Sequence, residues 1–246
     1  FPVNFDLVNK KYEFGTFVEF DKGFDIYATQ TFQDEQDRRI LIGWMGIPDA
    51  EYDNDATVSY DWIHALTMPR ELSFKDGKLL QKPLKEMQEL RKNEFHCALS
   101  EFTQWEPEDS CFELHIDFEE KAEKVEKVEI VEIIEKERGQ QSRSMKLQLR
   151  EDVILSLEEG ILRLNMGKSG RGRKERAAKV EKLRNLTIFS DTSAIEIFIN
   201  DGETVMTTRV YSENLKQKVT FLSKENTGSV TGYELGSFIV HHHEEV

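Results

Sequence analysis

Cysteine is scarce in this sequence: Cys97 and Cys111 are its two cysteines among 246 residues. Two cysteines cannot supply the multi-bridge framework of a small secreted domain, and no grouping of Cys and His has the spacing of a zinc site. Free thiols are typical of a reducing compartment. We therefore predict two buried free cysteines in a cytoplasmic protein.

Long apolar runs and an excess of positive charge are missing too. No stretch of eighteen or more apolar residues occurs, so we expect no membrane-spanning segment. Asp and Glu number 47 against 33 Lys and Arg, and the formal net charge of −14 would repel nucleic acid and anionic lipid. The sequence starts at Phe1 without an initiator Met or a signal pattern, so we expect a piece of a longer protein.

The residues that are present favour extended structure. The stretch from Asp21 to Gly46 predicts two short strands joined by the polar turn QDEQD. It places a carboxylate, Asp25, beside Tyr27 on the first strand, and it ends the second strand in Trp44. Sugars offer hydroxyls to polar acceptors and C–H faces to rings, so polar and aromatic groups gathered at strand ends are typical of a sugar pocket.

A series of short alternating strands follows Phe95, and turns rich in Gly, Asp and Asn separate them, which indicates a β-sandwich. The turn Asn200-Asp201-Gly202 is a strong hairpin signal. A short amphipathic helix around Leu84–Leu90 is predicted to connect the two parts. The segment Glu119–Arg138 has the composition of a helix but also alternates, and we predict a strand over its second half. The other predicted strands are Cys111–Phe118, Met145–Leu149, Val153–Leu157, Ile161–Met166, Leu186–Phe189, Ile195–Ile199, Val205–Tyr211, Val219–Leu222 and Tyr233–Phe238.

Four segments carry a resemblance to a known family. DKGFDIYATQTF, RRILIGWMG and ALTMPREL, in this order, resemble the late propeller region of glycoside hydrolase family 32, a family of β-fructofuranosidases. LTIFSDTSAIEIFINDGETVMTTRVY resembles the signature of its C-terminal sandwich. The resemblance covers most of the chain and implies an all-β fold: the last part of a five-bladed β-propeller at 1–82, a linker helix at 83–93 and a β-sandwich at 94–246. It implies no metal or organic cofactor.

The catalytic motifs of that family are missing from this sequence. Retaining glycosidases need two carboxyl groups roughly 5 Å apart, one as nucleophile and one as acid. By the resemblance these groups belong to NDPNG, RDP and EC motifs, and none of the three is present. We therefore predict no catalytic residue in this chain. Its parent would cleave the β-fructofuranoside bond of sucrose or sucrose 6-phosphate, whereas the chain alone would be inactive.

What the chain retains, by the resemblance, is one wall of the substrate pocket. Trp44 matches the family tryptophan that lines the site, with a core tryptophan that closes the blade as the alternative. Asp25 is predicted to accept a hydrogen bond from a substrate hydroxyl or to brace the general acid, and the alternative is a turn cap. Tyr27 and Gln30 are further candidates, although strand alternation should place them on opposite faces.

Three other features receive structural interpretations. His64 stands without a nucleophile motif and is expected to make an ordinary polar contact. Arg70 is expected to anchor a loop through hydrogen bonds to carbonyls. The basic cluster from Lys168 to Lys179 could bind phosphate, but it lacks interleaved aromatic residues, and we interpret it as a solvated loop.

A different class of function stays open for this sequence. The sandwich could be a non-catalytic module for structural support, for a subunit contact or for sugar binding, and an exposed aromatic platform at Trp105 would favour sugar binding. The expected partners are a β-fructoside substrate and the missing N-terminal propeller portion. Unpaired strand edges of an open propeller also predict self-association into a homo-oligomer.

Overall fold

The structure is a computed structural model that describes residues 3–119, 143–214, 218–223 and 226–238. These ranges are almost entirely strand and turn, so the predicted all-β class is confirmed. They contain no helix that is long and apolar enough to cross a membrane. The strands are β1 (Val3–Asp6), β2 (Lys11–Phe14), β3 (Tyr27–Gln33), β4 (Arg39–Trp44), β5 (Arg70–Lys75), β6 (Lys78–Pro83), β7 (Arg91–Ala98), β8 (Gln104–Trp105), β9 (Phe112–Phe118), β10 (Met145–Gln148), β11 (Ile154–Glu158), β12 (Ile161–Asn165), β13 (Glu175–Lys179), β14 (Asn185–Asp191), β15 (Ala194–Ile199), β16 (Thr204–Arg209), β17 (Val219–Phe221) and β18 (Gly228–Leu235). Short 3₁₀ helices span Asp55–Tyr60, Lys85–Leu90 and Lys168–Gly170.

The N-terminal part contains a four-stranded antiparallel meander in the order β3-β4-β5-β6, preceded by the mostly exposed hairpin β1-β2. β4 lies inside the meander and buries Ile40 and Leu41, whereas the edge strand β3 exposes all its residues. The turn between β3 and β4 is the predicted QDEQD segment. The Asp34 carboxylate closes it by accepting hydrogen bonds from the N–H groups of Gln36 and Arg38 at 3.0 and 2.9 Å.

The C-terminal part is a sandwich of two six-stranded sheets. One has the order β13-β12-β11-β10-β17-β8 and the other β16-β15-β14-β9-β18-β7. Alternate residues from both sheets enter one continuous apolar core, as Leu155 and Leu162 do from the first sheet and Leu114 and Ile188 do from the second. Burial follows the predicted period of two in β10, β11 and β12, because successive side chains of a strand point to opposite faces. The strands β15 and β16 instead bury successive residues.

The segment Lys22–Asp25 joins the two parts by lying along the edge strand β16. The N–H of Lys22 donates to the Val205 carbonyl at 2.7 Å, and the N–H groups of Phe24 and Asp25 donate to the Thr207 carbonyl at 2.8 and 3.0 Å. Gly23 permits this approach, because a Cβ there would lie 2.1 Å from the Thr207 carbonyl oxygen. The contact covers a sheet edge that would otherwise be open to pairing with another chain.

Several local predictions are confirmed and others are corrected. Asn200, Asp201 and Gly202 form the predicted turn with φ values of 53°, 60° and 83°. The connecting helix is a 3₁₀ helix over Lys85–Leu90, and the sandwich strand β7 starts at Arg91, inside the range 83–93 predicted as linker.

The last strand and two edge strands differ from the sequence prediction. β18 runs over Gly228–Leu235 rather than Tyr233–Phe238, and it pairs with both β7 and β9. Gly232 within it lies against the Phe95 ring, where an added Cβ would come within 2.1 Å. The strands β8 and β13 were not predicted, and their alternation is weak because both lie at a sheet edge. The predicted strand in the second half of Glu119–Arg138 lies outside the described residues.

Candidate functional site

An aromatic group lies where β3 begins and β4 ends, and it consists of Tyr27, Trp44 and His64. The ring centroids of Tyr27 and Trp44 are 6.0 Å apart at an interplanar angle of 78°, and those of Trp44 and His64 are 5.1 Å apart at 80°. Tyr27 is 50% exposed, His64 is exposed and Trp44 is half-buried. Trp44 is therefore neither a fully buried core residue nor an exposed one, and its contact with a sugar stays a prediction.

The two glycines that flank Trp44 have a packing role. A Cβ on Gly46 would lie 2.7 Å from atoms Cε2 and Cζ2 of the indole, so the ring lies directly against the Gly46 backbone. The N–H of Gly43 donates to Thr67 Oγ1 at 3.0 Å, and the N–H of Thr67 donates to the Gly43 carbonyl at 2.8 Å. These bonds tie the loop that carries His64 to β4.

A β-bulge corrects the expectation that Tyr27 and Gln30 lie on opposite faces. Tyr27 pairs with Trp44 and Gln30 pairs with Ile42, so β3 has one residue more than β4 between the two pairs. Ala28 takes up the extra residue with φ of 47°. Trp44 and Ile42 share a face of β4, so Tyr27 and Gln30 share a face of β3, and both are exposed.

Asp25 lies in a buried ion pair at the junction of the two parts. Nε and Nη2 of Arg173 donate to its two carboxylate oxygens at 2.7 and 2.8 Å, and the main-chain N–H of Arg209 donates to Oδ2 at 2.7 Å. Both side chains of the pair are 0% exposed. The carboxylate does not face solvent, so its predicted contact with a sugar hydroxyl stays a prediction that this geometry disfavours.

Arg173 also corrects the interpretation of the basic cluster as a solvated loop. Its guanidinium donates to Asn54 Oδ1 at 2.6 Å and to the Asp53 carbonyl at 3.0 Å, and it lies 4.1 Å from the centroid of the Tyr52 ring. The acidic loop between β4 and β5 is thus held to the sandwich by the buried Arg173, and Arg171 of the same cluster adds an exposed ion pair with Asp53 at 3.6 Å. A local charge count could not distinguish this buried arginine from the exposed Arg171.

Arg209 connects both segments that carry the aromatic group. Its main-chain N–H binds Asp25, two residues before Tyr27, and its Nη1 donates to the carbonyl of Ile63, next to His64, at 3.1 Å. Nε and Nη2 donate to the carbonyl and hydroxyl of Ser193, both at 3.1 Å. Burial lowers the pKa of Arg209. Sequence reasoning did not single out this residue.

Arg70 forms a second buried network across the same junction. It donates to Asp21 Oδ2 at 3.2 Å, to Gln81 Oε1 at 2.9 Å and, through Nε, to Glu196 Oε2 at 3.1 Å. Burial opposes the positive charge, but the carboxylates of Glu196 and Asp21 outweigh it and raise the pKa of Arg70. The predicted structural role is therefore correct, although the acceptors are side-chain oxygens rather than carbonyls.

In the sandwich, the exposed platform that would have favoured sugar binding is not found at Trp105, and the expectation of buried cysteines is corrected. Trp105 packs against Phe95 and Phe112, with centroid distances of 4.8 and 5.4 Å, so it is a partly buried core residue and not an exposed platform. Cys97 and Cys111 are free but only half-buried. Burial and the neighbouring Asp191 raise the pKa of Cys111 to about 11.

Solved structures that resemble this chain join a five-bladed β-propeller to a β-sandwich, and the all-β fold of this chain matches part of that architecture. A sucrose-6-phosphate hydrolase from Lactobacillus gasseri matches with a TM-score of 0.71 at 24% identity, over 89% of this chain and 43% of that chain. Fructan 1-exohydrolase IIa from Cichorium intybus matches with a TM-score of 0.65 at 18% identity, over 89% of this chain and 49% of that chain.

Sequence comparison identifies the family. The model for the glycosyl hydrolases family 32 N-terminal domain matches residues 1–83, and the model for the family 32 C terminal matches residues 86–238. The chain belongs to glycosyl hydrolase family 32, as the sequence resemblance predicted. It is 36% identical over 222 residues to a sucrose-6-phosphate hydrolase of Staphylococcus xylosus, and this match covers 85% of this chain and 41% of that protein. It is 33% identical over 200 residues to a sucrose-6-phosphate hydrolase of Bacillus subtilis (strain 168), and this match covers 80% of this chain and 38% of that protein. The chain thus spans about two fifths of the length of these relatives.

Proposed function

We propose that this chain is the C-terminal part of a retaining β-fructofuranosidase that cleaves sucrose or sucrose 6-phosphate. The observation that carries the proposal is the half-buried Trp44, held between Tyr27 and His64, in a chain that matches both family models. The names of the relatives support sucrose 6-phosphate as a substrate. A cytoplasmic location belongs to the same proposal and is supported by two free cysteines.

Trp44, Tyr27 and Gln30 bind the sugar through different kinds of contact. Trp44 and Tyr27 offer ring faces to the C–H surface of a sugar, and Gln30, on the same face of β3 as Tyr27, offers an amide to its hydroxyls. We assign Asp25 a positioning role instead of a direct contact, because it binds Arg173 and the N–H of Arg209 next to the strand that begins at Tyr27. The proposal needs no metal or organic cofactor.

The reacting carboxylates are assigned to the part of the protein that precedes this chain. Double displacement needs a nucleophile and an acid roughly 5 Å apart. The sequence has none of the NDPNG, RDP and EC motifs that carry these groups in the family. The chain would therefore supply one wall of the pocket and no group that forms or breaks a bond.

The test compares the chain alone with the chain joined to its upstream coding segment. The chain alone should release no glucose or fructose from sucrose, and the joined protein should release both. In the joined protein, Trp44→Ala should lower kcat/KM by about tenfold to a hundredfold through loss of a ring contact, while Trp105→Phe should leave it unchanged. Sucrose hydrolysis by the chain alone, or an unchanged kcat/KM in the joined protein with Trp44→Ala, would contradict the proposal.

Structural support of the propeller part is a second function that the junction favours. Arg70 and Arg173 are fully buried there and pair with Asp21 and Asp25 of the N-terminal part or with Glu196 of the sandwich. The test is to express residues 1–82 without the sandwich. We expect an insoluble or unfolded product, since its buried charges would lose their partners. A folded, soluble product would contradict this role.

A further inference from the structure

A cavity of about 150 Å³ lies between the connecting segment Lys82–Arg91 and the outer face of the sandwich sheet that contains β9 and β14. Pro83, Leu84 and Met87 line one side, and Phe189 and Phe198 line the other. The connecting segment packs on this face through Met87, which shares a small apolar cluster with both phenylalanines. The cavity is thus bounded by apolar groups on two sides and shares no lining residue with the group of Tyr27, Trp44 and His64.

Polar groups from two strands and from the start of β7 converge at the same cavity. Glu113, only 2% exposed, accepts hydrogen bonds from Nε and Nη2 of Arg91, both at 2.7 Å, and its Oε1 lies 2.6 Å from His115 Nε2. His115 Nδ1 lies 3.2 Å from Thr187 Oγ1. Burial acts to raise the pKa of Glu113, but the hydrogen bonds from Arg91 and His115 outweigh it and lower that pKa.

The mixture of groups selects the chemistry of a ligand. The cavity is lined by three cationic side chains, those of Lys82, Lys85 and Arg91, and by the carboxylates of Glu113 and Asp201. These charges largely balance, and the two carboxylates would repel a bare anion. A polyhydroxy ligand suits it better, because its hydroxyls can bond to the half-buried side chains of Arg91, His115 and Thr187, while its C–H groups contact the apolar sides. The buried Glu113 orients Arg91 and His115 for these contacts. A cavity of about 150 Å³ holds a ring of about six heavy atoms, and because it is open on one side the exocyclic groups of a monosaccharide, which has about twelve heavy atoms, extend towards solvent.

We propose that this cavity is a binding site for one neutral monosaccharide ring, separate from the aromatic group of Tyr27, Trp44 and His64. Arg91, His115 and Thr187 supply its hydrogen bonds, Glu113 positions Arg91 and His115, and Phe189 and Phe198 supply its apolar side. The proposal does not depend on the proposed hydrolysis, since it concerns binding without a chemical step.

The first experiment titrates the whole chain, separately, with D-glucose, D-fructose and inorganic phosphate while NMR follows the His115 ring and the Thr187 amide. We expect saturable shifts at both positions with at least one of the sugars, with a Kd in the millimolar range, and none with phosphate at matched ionic strength. The absence of saturable shifts with either sugar overturns the proposal. Saturation by phosphate without either sugar also overturns it and assigns an anion site.

The second experiment uses paired variants. Gln88 is exposed and lines the cavity, so Gln88→Trp should block the cavity without disturbing the core, while Glu89→Trp, one residue further, is the matched control. Thr187→Val removes one hydroxyl at nearly constant volume, and Thr220→Val on β17 in the opposite sheet is its control. Gln88→Trp should abolish sugar binding and Thr187→Val should weaken it by about tenfold, with both controls unchanged. Thermal unfolding checks that each variant folds, and undiminished binding by folded Gln88→Trp protein overturns the proposal.

Discussion

Removal of the Asp25 carboxylate is the sharpest test of how the two parts are held together. In the change Asp25→Ala, Arg173 loses the acceptor of its two hydrogen bonds of 2.7 and 2.8 Å, and the N–H of Arg209 loses its acceptor at 2.7 Å. The guanidinium of Arg173 has 0% exposure, so water cannot replace the carboxylate without opening the junction. The variant therefore leaves a buried cation without its counter-ion.

The expected cost follows from this geometry. Loss of one partner of a buried ion pair typically costs about 3–5 kcal/mol, because the remaining charge stays desolvated. Arg173 keeps hydrogen bonds to Asn54 Oδ1 and to the carbonyls of Asp53 and Gly170. These bonds compensate part of the loss, so we expect about 3 kcal/mol in the free energy of unfolding. The double variant Asp25→Ala/Arg173→Met should lose less than Asp25→Ala alone, by about 1 kcal/mol or more, because it removes the stranded charge.

Urea unfolding, followed by far-UV circular dichroism and tryptophan fluorescence, measures both quantities. Glu175→Ala is the matched control, because Glu175 pairs with Arg163 at 3.1 Å on the surface, with side-chain exposures of 43% and 46%. We expect the control to change the free energy of unfolding by at most about 0.5 kcal/mol. A loss below about 1 kcal/mol in Asp25→Ala, which is the range of surface pairs, would contradict the expected cost. So would a double variant that is less stable than the single one.

Three further predictions concern the junction edge, a thiol and assembly. Gly23→Ala should lower the free energy of unfolding by about 1–3 kcal/mol, because the added Cβ would lie 2.1 Å from the Thr207 carbonyl oxygen. Urea unfolding measures this change, and an unchanged free energy of unfolding would show that the segment can move away at no cost. Cys111, with its pKa raised from 9.0 to about 11, should react with a thiol reagent at pH 8 far more slowly in the folded protein than in the unfolded chain, and equal rates would contradict this. Because the pKa is higher in the folded state, the protonated thiol contributes stability below pH 9 that is lost as the pH rises towards 11. The exposed edge strand β3 should make the chain self-associate in sizing chromatography, and a single monomer peak over a range of concentrations would count against it.

Local patterns in the sequence predicted most of the sandwich. Ile195–Ile199 alternates and is followed by Asn200-Asp201-Gly202, three residues that accept positive φ, so strand and turn were specified together. The strand β13 shows the limit of this reasoning. Its residues are ERAAK, four of the five are exposed, and a strand at a sheet edge does not need an apolar face.

The candidate site was predictable in part, and the reason is the range of its contacts. Trp44 could be found because two glycines and an apolar run mark it in the sequence. The bulge at Ala28 could not be found, since φ of 47° is usually marked by glycine or asparagine and nothing marks it here. The partner of Asp25 is 148 residues away along the chain, and no local pattern connects it with Arg173.

The contacts of β16 explain why this fold joins a sandwich to a propeller part. The Thr207 carbonyl accepts two N–H groups from the segment Lys22–Asp25, and Arg209 binds both Asp25 and the Ile63 carbonyl. One short strand therefore fixes the segment that leads into Tyr27 and the loop that carries His64. Strands of a close-packed sheet move little, because displacement of any one of them opens voids in the core. The sandwich thus holds both ends of the aromatic group rigidly without contributing a ring of its own.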